Sequence, residues 1–339
     1  MLTKRQLILS TAVLLASLAV MNLLIIFLTR DSRPRQVMCH ARQSQSASVI
    51  ALGNSLVAAG FDEAAFDSGA GLSAPRGSAN LGLGATTPVE QLLLLRYALS
   101  LGIHPRLVLY GFYDFQLTTP VNFTTSELFG NHAMLYYVEP LYARRFYSLS
   151  LHDSFQFRAM HAFPMFAERG AIWAKVEILR RAIAQQGMPA ELNNSMGRAA
   201  DFSLLEAADT NDFRLQCEAA LNLPLTPSVS EILREAHDLG MSITVVEMPM
   251  REQHRRLFYG TPCWSKYTTH IRNLLAPFGA IYVDASGWIQ DEALFNDPLH
   301  LSERGAAQFS QRLGGALALS SPQLTADSAE TFGPERSRP

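Results

Sequence analysis

Residues Ser48–Phe61 read SVIALGNSLVAAGF. The opening residues form a short apolar run of the kind that makes a strand covered on both faces, and the closing residues suit a helix. Between the two, Gly53-Asn54-Ser55 is small and polar. Two readings fit that triplet. One is a capping turn with Ser55 at the helix start. The other is a nucleophile held up at the edge of a sheet.

Outward from this stretch the same rhythm repeats. Val49–Leu52, Leu107–Tyr110, Ile243–Glu247 and Ile281–Val283 are short runs rich in Val, Ile or Leu, and each predicts a strand. Helical patterns fall at Pro88–Leu101, Arg169–Gln186, Ser228–Leu239, Trp264–Ala276 and Ser302–Leu319. Pro88 suits a first helical turn capped by Thr86 or Thr87, and Gly102 and Gly240 sit where helices end. Strands separated by helices need crossover connections, which predicts an α/β fold with a mostly parallel sheet and helices on both faces. Ligands of such sheets lie beyond the carboxyl ends of the strands. Gly53–Ser55, Gly111–Asp114 and Met248–Arg251 all fall there.

The 339 residues are 48% hydrophobic and 17% charged, enough for a substantial core. A net charge of −2 lacks the basic excess that nucleic acid requires. Three cysteines, Cys39, Cys217 and Cys263, match no close metal-ligand or CxxC spacing, and their odd number prescribes no disulfide framework. His132, His152 and His161 also lack metal-ligand spacing, so no metal site is expected.

One segment departs from the average. Leu7–Leu28 (LILSTAVLLASLAVMNLLIIFL) carries no charge and one strongly polar side chain, Asn22. As a helix it would span roughly 33 Å, enough for a bilayer core, and it is too long for a cleaved signal. It has no polar face, so an uncleaved membrane anchor is expected. Lys4 and Arg5 precede it while Arg30, Arg33 and Arg35 follow, so charge alone leaves its orientation open. The expected organisation is an anchor over 1–30, a polar tether over 31–47, an α/β domain over 48–319 and a disordered tail over 320–339. Residues about 116–225 interrupt the strand–helix rhythm as an aromatic-rich helical insertion over the carboxyl edge, with Phe123, Phe129, Tyr136, Tyr137, Phe146 and Tyr147. Trp173 and Trp264 suit packing better than a sugar platform.

The second informative stretch is Phe295–Ser310, FNDPLHLSERGAAQFS, between the last strand and the last helix. Asp297 and His300 are three apart in a turn, so the carboxylate can curl back to one ring nitrogen and leave the other free as a base. Ser302 would cap the helix. Ser55 as nucleophile, His300 as general base and Asp297 as orienter form the functional reading. A helix cap and a surface turn form the structural one. Each motif alone is weak, but their coincidence on one sheet edge favours chemistry.

Together these blocks resemble the SGNH hydrolases, also called GDSL-like esterases and lipases. That family carries Gly-Asp-Ser or Gly-Asn-Ser after its first strand, here Gly53-Asn54-Ser55, and Asp-x-x-His before its last helix, here Asp297-Pro298-Leu299-His300. The resemblance covers roughly 48–114 and 228–319. It implies a three-layer α/β/α, flavodoxin-like sheet and ester chemistry without a metal or organic cofactor. It also implies an oxyanion hole from the Ser55 amide and a glycine of Asn80-Leu81-Gly82-Leu83-Gly84, with Gly82 as the expected donor. The family's third block, Gly-x-Asn-Asp, reads Gly111-Phe112-Tyr113-Asp114, so Tyr113 stands where the oxyanion-binding Asn would be. Losing such a donor typically costs about 3–4 kcal/mol of transition-state stabilisation. Asn54, Asp114 and Arg251 are candidate substrate contacts; Arg251, Glu252 and His254 all follow a strand end where they could meet substrate, but surface solvation explains the three better.

An anchor plus a long insertion is similar to bacterial members that modify cell-surface polysaccharide. The resemblance therefore implies a single-pass inner-membrane protein with a periplasmic domain, acting on an acyl ester or glycan within a polysaccharide-modification complex. Water or a sugar hydroxyl could accept the acyl group. A non-catalytic binding or assembly component is the alternative, and Tyr113 is its main support.

Overall fold

The computed structural model describes residues 3–72, 77–118, 150–163, 168, 172–173, 175–177, 179–180 and 207–320. His132, the six aromatics from Phe123 to Tyr147, much of the helix expected over 169–186 and the tail beyond 320 lie outside these residues. The chain forms two compact units, Met1–Cys39 with Asn122–Met196, and His40–Val121 with Gly197–Pro339.

The first unit contains α1 (Lys4–Leu28), which opens on a capping box between Thr3 and Gln6. No side chain of α1 is buried, and its mean hydropathy of 2.5 makes it long and apolar enough to cross a membrane. The segment expected as a tether contains a helix, α2 (Arg33–Gln43). Polarity suggested a linker, but Arg, Gln, Met and Ala are good helix formers and Pro34 falls in the first turn, where proline is tolerated. Arg35 Nε lies 2.8 Å from Glu168 Oε1, and Lys175 Nζ lies 2.5 Å from Asp31 Oδ1. Residues of the expected insertion therefore belong with the end of the anchor rather than with the sheet. Trp173, expected to pack, is 71% exposed.

The second unit is an α/β domain. Its elements are β1 (Val49–Leu52), α3 (Ser55–Gly60), α4 (Glu63–Ala70), β2 (Ser78–Asn80), α5 (Pro88–Ser100) and β3 (Leu107–Phe112). In the first unit α6 (Leu151–Ala162) follows, and the second resumes with α7 (Ala207–Ala220), α8 (Pro227–Asp238) and β4 (Ser242–Glu247). It closes with α9 (Pro262–Leu275), β5 (Ile281–Asp284) and α10 (Glu303–Ser320). All five strands are parallel in the order β2-β1-β3-β4-β5, the flavodoxin-like order of doubly wound sheets.

Strand alternation sends Val49, Ala51, Leu107, Leu109, Val246 and Met248 to one face. There they pack on Leu56 and Val57 of α3, Phe66 of α4, and Phe309 and Leu313 of α10. Ile50, Leu52, Val108, Tyr110 and Val245 are buried on the other face, towards α5, α8 and α9. Leu92–Leu95 of α5 are all buried, since the sheet lies on one side of that helix and α8 on the other. β2 was not expected: Ser-Ala-Asn has no apolar run, and only its pairing with Val49–Ala51 makes it a strand. β3 outruns its predicted end because Gly111 and Phe112 pair with Val246 and Glu247.

The Thr226 amide donates to the Leu117 carbonyl at 2.8 Å, so the two ends of the expected insertion meet. Its last part, including α7, stays with the sheet. A disulfide between Cys217 of α7 and Cys263 of α9 pins it there, a pairing the cysteine count did not prescribe. Cys39 lies outside the bridge, on the surface.

Candidate active site

The triplet after β1 is shaped by close approach. A Cβ on Gly53 would meet Val57 Cγ2 at 2.3 Å and the Gly111 carbonyl at 2.7 Å, so only glycine lets the chain drop from β1 into α3 beside β3. Asn54 is the cap: its Oδ1 accepts from the Leu56 amide at 3.0 Å, and its Nδ2 donates to Gln116 Oε1 at 3.0 Å. Both ends of Asn54 are thus engaged in holding the turn. Ser55 becomes the first helical residue and keeps its hydroxyl for another partner.

That partner is His300. Its Nε2 lies 2.9 Å from Ser55 Oγ, across 245 positions of sequence, and its Nδ1 lies 2.7 Å from Asp297 Oδ2. Asp297 Oδ1 also accepts the amides of Leu299 at 2.9 Å and His300 at 2.8 Å. The turn is closed by the Asn296 amide donating to the His300 carbonyl, and Ser302 Oγ accepts from the Gly305 amide at the start of α10. With a carboxylate on Nδ1, the ring carries its proton there, and Nε2 accepts from the serine hydroxyl. Burial acts to raise the Asp297 pKa, but the bonds from His300 and the two amides outweigh it and hold the carboxyl below its ordinary value.

Gly82 and Gly84, the two glycines of the expected oxyanion block, are placed differently. The Gly82 amide already donates to Asn80 Oδ1 at 2.9 Å, and a Cβ there would lie 2.5 Å from the Ala58 nitrogen. Gly82 therefore serves the packing of this loop on α3. Asn80 completes it by donating to the carbonyls of Val57 at 3.1 Å and Phe61 at 2.8 Å. Gly84 is the glycine beside the nucleophile: a Cβ on it would lie 3.6 Å from Ser55 Cβ. Among the described residues its amide has no acceptor. In NLGLG the two glycines carry the same signal, and only the turn made by Asn80 separates them.

Tyr113 is partly buried against the core cluster that also includes Leu299. Burial, with the neighbouring Asp114 charge, raises its pKa, so the phenol stays protonated and able to donate. Asp114 has φ +59°, an uncommon conformation for a residue with a side chain, and its Oδ1 is buried without a hydrogen-bond partner. Burial raises its pKa against the opposing pull of the Phe115 amide. A buried acceptor held in a strained loop invites a donor from outside the protein.

Arg251 is a brace instead. Its guanidinium bonds Glu292 at 2.8 Å and its amide donates to the Pro298 carbonyl at 3.1 Å, which ties the loop after β4 to the Asp297 turn. Glu252 pairs with Arg255 and Arg256. His254, expected on a solvated surface, packs its ring at a tilt against Phe258 with centroids 4.7 Å apart. Burial depresses its pKa to about 4 although the Asp297 charge opposes this, so it is a neutral wall near the Asp297 carboxylate. Behind it Phe115, Phe213, Tyr259, Trp264 and Tyr267 form a continuous ring cluster. Trp264 packs as expected and donates to Glu247 Oε1 at 2.9 Å. His152 lies 2.9 Å from Gln156 Nε2, and among the described residues no His, Cys, Asp and Glu cluster is spaced to hold a metal ion.

Neither protein-family models nor curated proteins give a match to this chain.

Proposed function

We propose that this chain is a membrane-anchored, serine-dependent ester hydrolase or O-acyltransferase of the SGNH type, acting on an acylated cell-surface glycan or a related ester at the membrane face. The observation that carries the reading is the continuous relay Ser55–His300–Asp297 at the carboxyl edge of a parallel sheet. Ser55 Oγ attacks the acyl carbonyl as its proton passes to His300 Nε2, and Asp297 stabilises the resulting imidazolium. The developing oxyanion is met by the Ser55 and Gly84 amides, with the Tyr113 hydroxyl as a third donor in place of the family's Asn. The alcohol departs with the proton from His300, leaving an acyl ester on Ser55. Water or a sugar hydroxyl then gives its proton to His300, attacks that ester and frees the serine. Asp114 is assigned to accept a bond from a substrate hydroxyl.

The Cys217–Cys263 bridge supports placing the domain on the non-cytoplasmic side, because disulfides persist in oxidising compartments. α1 then runs from a cytoplasmic amino terminus to an external domain.

The competing reading, a binding or assembly component of a polysaccharide-modification complex, draws on Tyr113 at the Asn position. Fluorophosphonate labelling of the full-length protein in detergent separates the two. Attachment at Ser55, abolished in Ser55→Ala and His300→Ala, is the expected result. A folded protein that stays unlabelled would leave the binding role standing and the enzyme rejected.

A further inference from the structure

The anchoring unit carries an exposed apolar face that neither the fold nor the ester chemistry uses. Residues 172–173, 175–177 and 179–180 are helical. Trp173 is 71% exposed, Val176 44% and Leu179 61%. At 3.6 residues per turn, Ile172, Trp173, Val176 and Leu179 share an arc of about 120°, within which the only charged side chain among the described residues is Arg180, paired with Glu177 at 2.8 Å. Lys175 borders that arc, and its ammonium lies 2.6 Å from the Leu28 carbonyl and 2.5 Å from Asp31 Oδ1. The segment is therefore fastened to the last residue of α1.

That fastening fixes its depth. The apolar stretch Leu7–Leu28 would span about 33 Å as a helix, against a hydrocarbon core of about 30 Å, so Leu28 falls where acyl chains give way to headgroups. Phe27 and Leu28 are exposed like the rest of α1, as are Trp173, Val176 and Leu179, and Lys175 ties the two segments together at Leu28. Arg30 stacks over the Phe27 ring at 4.6 Å, placing a cation at the same level. Tryptophan at headgroup depth, aliphatic side chains beside it and lysine reaching sideways are the composition of an interfacial helix.

We propose that the helical residues around Trp173, Val176 and Leu179 form a second membrane contact, lying in the headgroup layer with these three side chains dipped into lipid. The unit thus meets the bilayer through a spanning helix and a surface helix, which restricts its swivel about α1. The inference rests on reading α1 as membrane-spanning, and its test reports on that separately.

The full-length protein carrying Cys39→Ser, with the Cys217–Cys263 bridge kept, receives one new cysteine, either Val176→Cys or Leu14→Cys, labelled with an environment-sensitive fluorophore. Each is reconstituted into phosphatidylcholine vesicles containing nitroxide lipids, placed either at the headgroup or deep in the acyl chain. The label at 176 should be quenched at least twofold more by the headgroup nitroxide, and the label at 14 by the deep one. Trp173→Glu with Leu179→Glu should abolish quenching at 176 and leave that at 14. A label at 14 that is quenched beside a label at 176 that is not would overturn the proposal while α1 remains an anchor; water or a protein partner then covers the face. Quenching at neither position would reject both.

Discussion

Replacing Asp297 with Asn probes the relay at the point where chemistry and structure separate. The carboxylate accepts three bonds, two from the Leu299 and His300 amides on Oδ1 and one from the His300 ring on Oδ2. Asparagine keeps Oδ1 for the amides, so the turn should survive with a stability loss of about 1 kcal/mol, the net worth of one hydrogen bond. Its Nδ2, however, presents hydrogens to a nitrogen that must itself carry one. The ring is driven to the opposite tautomer, with the proton on Nε2, where it can no longer accept from Ser55. The same exchange in a Ser-His-Asp triad lowers kcat by about 10⁴, or roughly 5.5 kcal/mol of activation free energy. Steady-state hydrolysis of p-nitrophenyl acetate by the full-length protein in detergent measures kcat, and a thermal melt reports the fold. A kcat collapse with KM and melting temperature little changed is expected. Activity within tenfold of the parent, in a preparation where Ser55→Ala is inert, would refute Asp297 as the orienting group.

The two glycines of the β2–α5 loop should part company. Gly82→Ala places a methyl 2.5 Å from the Ala58 nitrogen and should cost about 1–3 kcal/mol in a thermal melt. Gly84→Ala makes only an ordinary 3.6 Å contact with Ser55 Cβ, so it should fold normally while lowering kcat/KM for p-nitrophenyl acetate, because the added methyl takes space beside Ser55. Burial raises Glu247 to about 7, with its Tyr282 and Trp264 bonds opposing. Since it is protonated when folded and ionised when unfolded between about pH 4.3 and 7, unfolding releases a proton, and stability should fall as pH rises through that window. Glu90, buried and also raised to about 7, acts in the same sense, so denaturant titrations should find the slope reduced but not abolished in Glu247→Gln. A slope unchanged by the substitution would show that Glu247 ionises normally. Cys217→Ser opens a bridge spanning 46 residues, worth about 4 kcal/mol by loop-closure entropy, and urea unfolding should read a loss of that order.

What the sequence could and could not convey follows from the range of the forces involved. The relay was legible because each member sits in a local motif whose geometry is set within a few residues: Gly53-Asn54-Ser55 by the strand-to-helix turn, Asp297–His300 by hydrogen bonds across three positions. Their meeting followed from topology, since every parallel strand delivers its trailing loop to the same edge. The errors arose where a long-range partner decides. Asn54 and Arg251 suggested substrate contacts, yet Gln116 and Glu292 claim them. Gly82 and Gly84 were indistinguishable until Asn80 bonded one of them, and β2 had no apolar signature because its strand character comes from β1. Asp114 is the opposite case: its φ of +59° and its unpartnered oxygen are invisible in Gly-Phe-Tyr-Asp. The protein meets the polar demand of Asn54 from within, so that residue builds the turn. It leaves Oδ1 of Asp114 unmet, and a buried acceptor without a donor is a group whose free energy a bound hydroxyl would lower.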